Sequence, residues 1–378
     1  MLTHGASGSL PARPVVVAIP ARDEAEEIGP CLLALAAQQE TAIDAVVLCL
    51  NNCSDGSADV VRAMEPRLPF ALHTIAVHLS KALACAGRAR RIAMESAATL
   101  AGANGVLLTT DADARVRPDW VVANLDAIAE GAEAVAGRAE IEPEGAKLIP
   151  AHLHATDARE CAYATVLDEI GALIDPDPSD PWPRHDEHAG ASIAVTVAAY
   201  WRAGGMPATP IGEDRAFFDA LRRIDARIRH APGARVVVSA RIVGRAPGGM
   251  ADTMRRRVER PDPFLDERLE PAAGWLGRVR LRRRLRVEWA AGADPVSPRL
   301  PTLAARLGIP ALRLAGLLTA RYFGTAWAEI EAASPRLHQR VRVPLEALAI
   351  ETARAGRIRD RIRHAASQAG TPLLDAAE

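Results

Sequence analysis

Val15 to Ile19 reads Val-Val-Val-Ala-Ile with no polar interruption and stops at Pro20. A strand with one wet face alternates apolar and polar side chains, so a short continuous run of this kind marks a strand buried on both faces. Such strands are parallel, and parallel neighbours need crossover connections that are usually helices. The following residues supply one: Ile28, Leu32, Leu35 and Ala36 fall at helical spacing behind Glu24, Glu26 and Glu27, with Asp23 as a candidate cap. The alternation then repeats. Ala45 to Leu50 is a second buried strand, followed by the turn-rich segment Asn51 to Ser57 and a helix over Ala58 to Met64. Phe70 to Val77 is a third strand, the alanine-rich stretch Leu83 to Leu100 a helix, Val106 to Thr110 a fourth strand, and Pro118 suits the first position of another helix. Four alternations predict an α/β fold, a doubly wound and mostly parallel sheet with helices on both faces. Ligands in such sheets bind beyond the carboxyl ends of the strands, where Arg22 to Glu24, Asn51 to Asp55 and Asp111 to Asp113 fall.

The pattern changes after Pro143. A helical stretch gives way to Asp175-Pro176-Asp177-Pro178-Ser179-Asp180-Pro181-Trp182-Pro183, a loop too rich in proline for regular structure and of a kind that often serves as a lid. From Ala251 onward the chain reads as arginine-rich helices broken at Pro261, Pro271, Pro295, Pro301 and Pro344. These changes divide the 378 residues into an N-terminal tail expected to be disordered (1–13), a main α/β domain (14–250) and an α-helical C-terminal extension (251–378).

Charge follows the same division. Residues 1–250 hold 23 basic and 32 acidic groups, whereas 251–378 hold 23 and 15. The basic extension has arginines alternating with apolar residues and few aromatics for base stacking, so oligomerisation or substrate capture is expected of it rather than nucleic-acid binding. All but Lys81 and Lys147 of the 46 basic residues are arginine, which singles those two out. The five cysteines form no CxxC pair and read as small core residues rather than a disulfide framework. No run of eighteen apolar residues and no leader pattern is seen, so a cytoplasmic location with at most peripheral membrane contact is expected.

Asp111-Ala112-Asp113 puts two carboxylates at i and i+2 on a strand end, a hard-oxygen pair suited to Mg²⁺ or Mn²⁺ with diphosphate oxygens completing the shell. Taken alone it is also an ordinary turn. Its context is more specific. Val17-Ala18-Ile19-Pro20-Ala21-Arg22-Asp23-Glu24, Asn51-Asn52-Cys53-Ser54-Asp55-Gly56-Ser57, Asp111-Ala112-Asp113 and Gly212-Glu213-Asp214 stand in an order that resembles family 2 glycosyltransferases, over about residues 14–245.

That resemblance implies a GT-A fold and transfer of a sugar from a nucleotide-diphosphate sugar, a UDP- or GDP-sugar, to a hydroxyl acceptor. It implies that Pro20, Ala21, Arg22 and Glu24 line the base and ribose pocket with Asp55 on the base, though Asp23 and Asp55 also suit helix capping. Gly87-Arg88-Ala89-Arg90-Arg91 stands where relatives carry Gly-x-Ala-Arg-Asn, with arginine in place of the asparagine. Lys81 or Arg88 is the expected diphosphate contact, and Arg90 and Arg91 read equally as a solvated face. Asp111 and Asp113 become metal ligands, and Asp111 also faces the donor. Glu213 and Asp214 become the catalytic pair, Asp214 as general base. Gly190, Ala191, Ser192 and Gly205 match the segment holding sugar and acceptor. Relatives often place a metal-binding histidine after the last strand. This chain has Ser239-Ala240-Arg241 instead, so Arg241 and Arg245 read as phosphate grips and His185, His188 and His230 as weak ligand candidates.

Inverting transfer is the favoured reading. A retaining mechanism of the glucosyl-phosphoglycerate synthase type and a non-catalytic protein on the same fold are the alternatives. A nucleotidyltransferase would carry a glycine-rich phosphate loop after the first strand, which Pro20-Ala21-Arg22-Asp23-Glu24 is not.

Overall fold

The computed structural model describes residues 13–369 apart from 82, 242–243, 245–248, 261, 293 and 295–296. The expected N-terminal tail therefore lies almost wholly outside the described residues, as does Arg245. The expected alternation is present: β1 (Val15–Ala21), α1 (Ile28–Ala36), β2 (Ala45–Asn51), α2 (Ser57–Met64), β3 (Ala71–Val77), α3 (Ala86–Ala101) and β4 (Val106–Thr109). Then follow β5 (Arg115–Val116), α4 (Trp120–Ala129), β6 (Ala134–Ile141), α5 (Pro143–Ala146), α6 (Ala151–Ile174), β7 (Ile193–Thr196), α7 (Val197–Arg202), α8 (Glu213–Arg223) and β8 (Ile228–Val238). The C-terminal helices are α9 (Met250–Glu259), α10 (Ala272–Ala290), α11 (Leu300–Leu307), α12 (Ala311–Leu317), α13 (Phe323–Ala333), α14 (Pro335–His338) and α15 (Leu348–Ala369).

The strands form one eight-stranded sheet in the order β3-β2-β1-β4-β7-β6-β8-β5. β1 pairs in parallel with β2 and β4, and β2 with β3, while β7 enters antiparallel between β4 and β6. Period-two alternation divides the opening apolar run between two cores. Val15, Val17 and Ile19 face a cluster with Ile28, Leu32 and Trp120, and Val16 and Ala18 face one with Ala93, Met94 and Ala97 of α3. The small side chains of α3 let that helix lie close on β1 and β2.

Two local expectations are corrected. Asp23 does not cap α1: its backbone turns to φ 53°, and its carboxylate accepts from the Ser54 amide at 2.7 Å, binding the ends of β1 and β2 together. Pro118 stands just before the Asp119 N-cap of α4, in a turn closed by Trp120 N–H on Arg117 C=O.

The C-terminal helices share cores with the sheet domain. Tyr163, Leu167 and Ile170 of α6 form one cluster with Leu265, Leu269, Ala272, Leu348, Ala355 and Ile362. α13 meets α8 where Asp225 accepts from the Phe323 and Gly324 amides at 2.6 and 2.8 Å. A Cβ at Gly324 would lie 1.8 Å from the Arg222 carbonyl, so only glycine permits that approach. The proline-rich segment between α6 and β7 has no regular structure but is anchored from within. Buried Asp175 takes guanidiniums of Arg282 and Arg286 at 2.7 and 3.0 Å, and buried Asp180 takes His230 Nδ1 and Arg229 at 2.6 and 3.1 Å. Among the described residues no helix is long and apolar enough to cross a membrane.

Candidate functional site

The carboxyl ends of β1, β2 and β4 open on one crevice. Asp111 and Asp113 lie in the turn after β4, closed by Ala114 N–H on Asp111 C=O at 3.1 Å. Their side chains keep 36% and 19% of their surface exposed. Each carboxylate meets an arginine: Arg90 reaches Asp111 Oδ1 at 2.6 Å, and Arg241 reaches Asp113 Oδ2 at 2.9 Å. Burial, reinforced by Asp111 and by Glu24 and opposed by Arg241, pushes the Asp113 carboxyl up to about 6. A half-buried carboxyl raised by desolvation and further by neighbouring acids marks a place that favours added positive charge. The hard oxygens present fit Mg²⁺ or Mn²⁺ held through two protein carboxylates, with the remaining octahedral positions left to diphosphate and water.

Arg90 is the hub of the site, and it corrects the reading of this residue as part of a solvated face. Its side chain is 3% exposed. Besides Asp111, it donates from Nη1 to Thr109 Oγ1 and to the Gly190 carbonyl, both at 2.9 Å, and from Nε to Glu213 Oε1 at 3.2 Å. Gly190 packs tightly on the hub, since a Cβ there would stand 3.0 Å from Arg90 Nη2. The Gly190 amide in turn donates to Asp214 Oδ2 at 2.9 Å. Asp214 stands in the first turn of α8 behind Gly212, whose φ of 70° turns the chain into the helix. One guanidinium thus joins the Asp111 side of the crevice to the Glu213-Asp214 side.

The helical register carries the signal that separates Arg90 from Arg88. Gly87, Arg90, Met94 and Ala97 lie on the buried stripe of α3, while Arg88 is exposed. Lys81 is exposed as well. Neither belongs to the ion-paired cluster.

Arg241 follows β8 and forms a two-pronged pair with buried Glu24, at 3.0 and 2.6 Å, in addition to its contact with Asp113. Glu24 is therefore a charged partner in this cluster, its amide donating to Ser57 Oγ at 2.8 Å. Asp55 accepts from the Ala25 amide at 2.9 Å and from the Ser57 amide and hydroxyl, tying the two strand-end loops together at the start of α2. Arg22 Nη1 donates to the Ala84 carbonyl at 3.3 Å, Pro20 is half-buried and Ala21 is buried. Two buried oxygens on the strand ends, Asn51 Oδ1 and Thr110 Oγ1, have no hydrogen-bond partner among the described residues.

Several expected substrate residues are placed in the core instead. Ala191 belongs to the hydrophobic cluster under the sheet, and Ser192 is fully buried, accepting from Trp120 Nε1 at 2.8 Å and donating to the Ala234 carbonyl at 3.1 Å. The cause is β7, which runs through the middle of the sheet and draws its entry into the interior. Gly205, at φ 78°, is buried in the turn that ends α7. The three histidines are brought together with one another, not onto the carboxylates. His188 Nε2 lies 3.0 Å from His230 Nε2 and 2.6 Å from Arg222 Nη2, and the ring centroids of His185 and His230 are 5.5 Å apart. Burial, with help from neighbouring His230, holds His185 down to about 4, and burial and Arg222 hold His188 far below its usual range. Among the described residues the one trio with ligand atoms close enough to share a metal is Asp23, Cys53 and Asp55, and all three are engaged in the hydrogen bonds that join the strand-end loops.

The structure is similar to the crystal structure of S. aureus TarS 1-349 in complex with UDP-GlcNAc, at 15% identity over 93% of this chain and 92% of that one, TM-score 0.45. It is similar to the mannosyltransferase PcManGT from Pyrobaculum calidifontis in complex with GDP-Man and Mn²⁺, at 19% identity over 95% and 87%, TM-score 0.42. It is also similar to glucosyl-3-phosphoglycerate synthase from Mycobacterium tuberculosis in complex with Mn²⁺ and UDP-glucose, at 14% identity over 66% and 77%, TM-score 0.38. No curated protein sequence matches the chain. Residues 16–188 match the model of glycosyl transferase family 2.

Proposed function

We propose that the protein transfers a sugar from a UDP- or GDP-sugar to a hydroxyl acceptor with a divalent metal at Asp111 and Asp113, and that it inverts the anomeric centre with Asp214 as base. The observation that carries this reading is the Arg90 hub, which gathers Asp111, Glu213 and the Gly190-Asp214 pair from distant parts of the chain around one crevice. A bound metal would stabilise charge on the departing diphosphate.

The chain's own residues do the rest. Asp111 and Asp113 present oxygen ligands on a short turn that leaves both partly open. Arg241, already turned toward Asp113, is a charged donor for the diphosphate, and exposed Lys81 and Arg88 at the start of α3 are further candidates. The strand-end loops of Pro20 to Glu24 and of Asn51 to Asp55 form the nucleotide side, with Asn51 Oδ1 and Thr110 Oγ1 as unpaired acceptors beside it. Asp214 receives one backbone amide on each oxygen, which fixes its orientation and leaves each oxygen a lone pair for the acceptor hydroxyl. Residues 14–250 form the catalytic unit in this reading, and 251–378 a helical layer available for self-association or acceptor capture.

Thermal-shift titration with UDP and GDP, with and without Mn²⁺, tests the donor side, since a ligand of the native state raises the melting temperature. A rise that requires both nucleotide and metal is expected. No rise with any nucleotide diphosphate would leave the fold as a binding protein. The stereochemistry of the product separates inversion from retention, because a retaining enzyme has no need of Asp214 as base.

A further inference from the structure

Arg241 stands where relatives often place a metal-binding histidine, and its geometry gives it a different relation to the metal. The guanidinium is not a loose surface group. Both of its terminal nitrogens pair with Glu24, which is 7% exposed, and its backbone segment is fixed by Ala240, against which α5 packs so closely that a Cβ on Gly145 would lie 2.3 Å from the Ala240 Cβ. Nη2 is shared: it donates to Glu24 Oε1 at 2.6 Å and forms an ion pair with Asp113 Oδ2 at 2.9 Å. The Asp113 contact is therefore the one that can be given up while the two-pronged pair with Glu24 survives. A guanidinium carries five N–H donors, and these three bonds leave others for an anion.

We infer that Arg241 competes with the divalent metal for Asp113 and makes metal binding depend on the nucleotide diphosphate. Without nucleotide, a metal on Asp113 faces a guanidinium offset only by the Glu24 and Asp113 carboxylates, with no further anion between the two cations. A diphosphate supplies that anion, takes up the spare donors of Arg241 and frees Asp113 Oδ2. Metal and nucleotide then enter as a coupled pair, each tightening the other by the same factor. This rests on Asp111 and Asp113 being the metal ligands of the proposed function.

The test measures Mn²⁺ affinity directly, by the electron paramagnetic resonance signal of free Mn²⁺, for the wild type, Arg241→Gln and Arg115→Gln, each alone and with saturating UDP or GDP. Arg115 is the control because it lies against the same turn without touching its carboxylates. It donates to the Asp113 carbonyl at 3.4 Å and pairs with Glu27 at 2.5 Å, so its removal deletes a nearby charge but frees no metal ligand. In the wild type, nucleotide should tighten Mn²⁺ by about tenfold or more, within the ordinary range of coupling. Arg241→Gln should bind Mn²⁺ alone about tenfold more tightly than the wild type and lose most of the nucleotide effect, and Arg115→Gln should keep the wild-type gap. Equal tightening in the two variants, or unchanged affinity in Arg241→Gln, would overturn the competition. Should Arg241→Gln not fold, Arg241→Lys carries the same test with a smaller gain, since an ammonium cannot span Glu24 and Asp113 as the fork does. If no nucleotide binds any of the proteins, the proposed donor reading falls, while the comparison with Mn²⁺ alone still decides the role of Arg241.

Discussion

Two sets of arginine–carboxylate pairs stand in this molecule, one in the crevice and one under the C-terminal helices, and they are built in opposite senses. Under the helices the acid is the buried partner: Asp175 is 1% exposed, and the arginines of α10 reach down to it from the surface. Arg278 and Glu270 go further, both buried, with Arg278 also donating to Glu331 and to the Leu337 carbonyl. At Asp111 the arginine is the sequestered partner: Arg90 is packed away while the Asp111 carboxylate remains open to solvent and to ligands. A buried acid served by surface arginines holds helices together. An exposed acid steadied by a buried arginine is held ready for something else. Which partner is hidden distinguishes a brace from a site.

The sharpest way to break this contrast is to remove the open acids. Asp111→Ala and Asp113→Ala are expected to abolish metal-dependent nucleotide affinity in titration calorimetry, with the melting temperature near that of the wild type in Asp113→Ala and lower in Asp111→Ala, which leaves buried Arg90 with Glu213 as its remaining close carboxylate. Retained affinity in both would show these carboxylates to be braces too. Asp214→Asn should keep donor binding and fold but lose about 10²–10⁴ in transfer rate, measured as product by mass spectrometry. Near-normal turnover would remove Asp214 as base and favour retention.

The reverse outcome is expected in the helical layer. Arg278→Met leaves Glu270 buried beside a methionine and should cost about 3–5 kcal/mol of stability in urea unfolding, with donor affinity unchanged. A loss of donor affinity without loss of stability would contradict the division. The smallest effect concerns the segment from Asp175 to Gly190. His185 is held down to about 4 and His188 lower still, so both are favoured neutral in the folded chain. Their contribution to stability is present above about pH 6.5, the ordinary histidine value, and is lost as pH falls through about 4. The melting temperature should fall over that window, and the fall should be shallower in His185→Gln. An identical slope in that variant would exclude His185 as a contributor.

The parts that could be read from sequence are those where one local pattern had one physical cause. β1, β2 and β4 are apolar up to their ends, Asn51 in β2 and Thr109 in β4, because each is covered on both faces, and the strand-end motifs follow from where parallel strands point. What escaped notice depended on partners far along the chain. Ser192 looks like a polar residue beside a strand, and only the insertion of β7 between β4 and β6 consigns its hydroxyl to Trp120 and Ala234. The α10 arginines look like a solvated face until Asp175 is found beneath them. Arg90 was open to a closer reading, since its spacing from Gly87, Met94 and Ala97 already puts it on the inward stripe.

The position of β7 also bears on how the chain comes together during synthesis. The family match ends at residue 188, just short of the strand that fills the middle of the sheet. Until Ile193 to Thr196 emerges, β4 has no partner on one side and β6 has none to join it to β1, although their own residues are long since made. Leu107 must wait for Val195, a distant pairing of the kind that slows folding and prolongs the exposure of strand edges. A nascent chain stalled before β7 therefore ends its sheet at β4, an apolar strand with one open edge, while β6 still lacks both of its partners, β7 and β8.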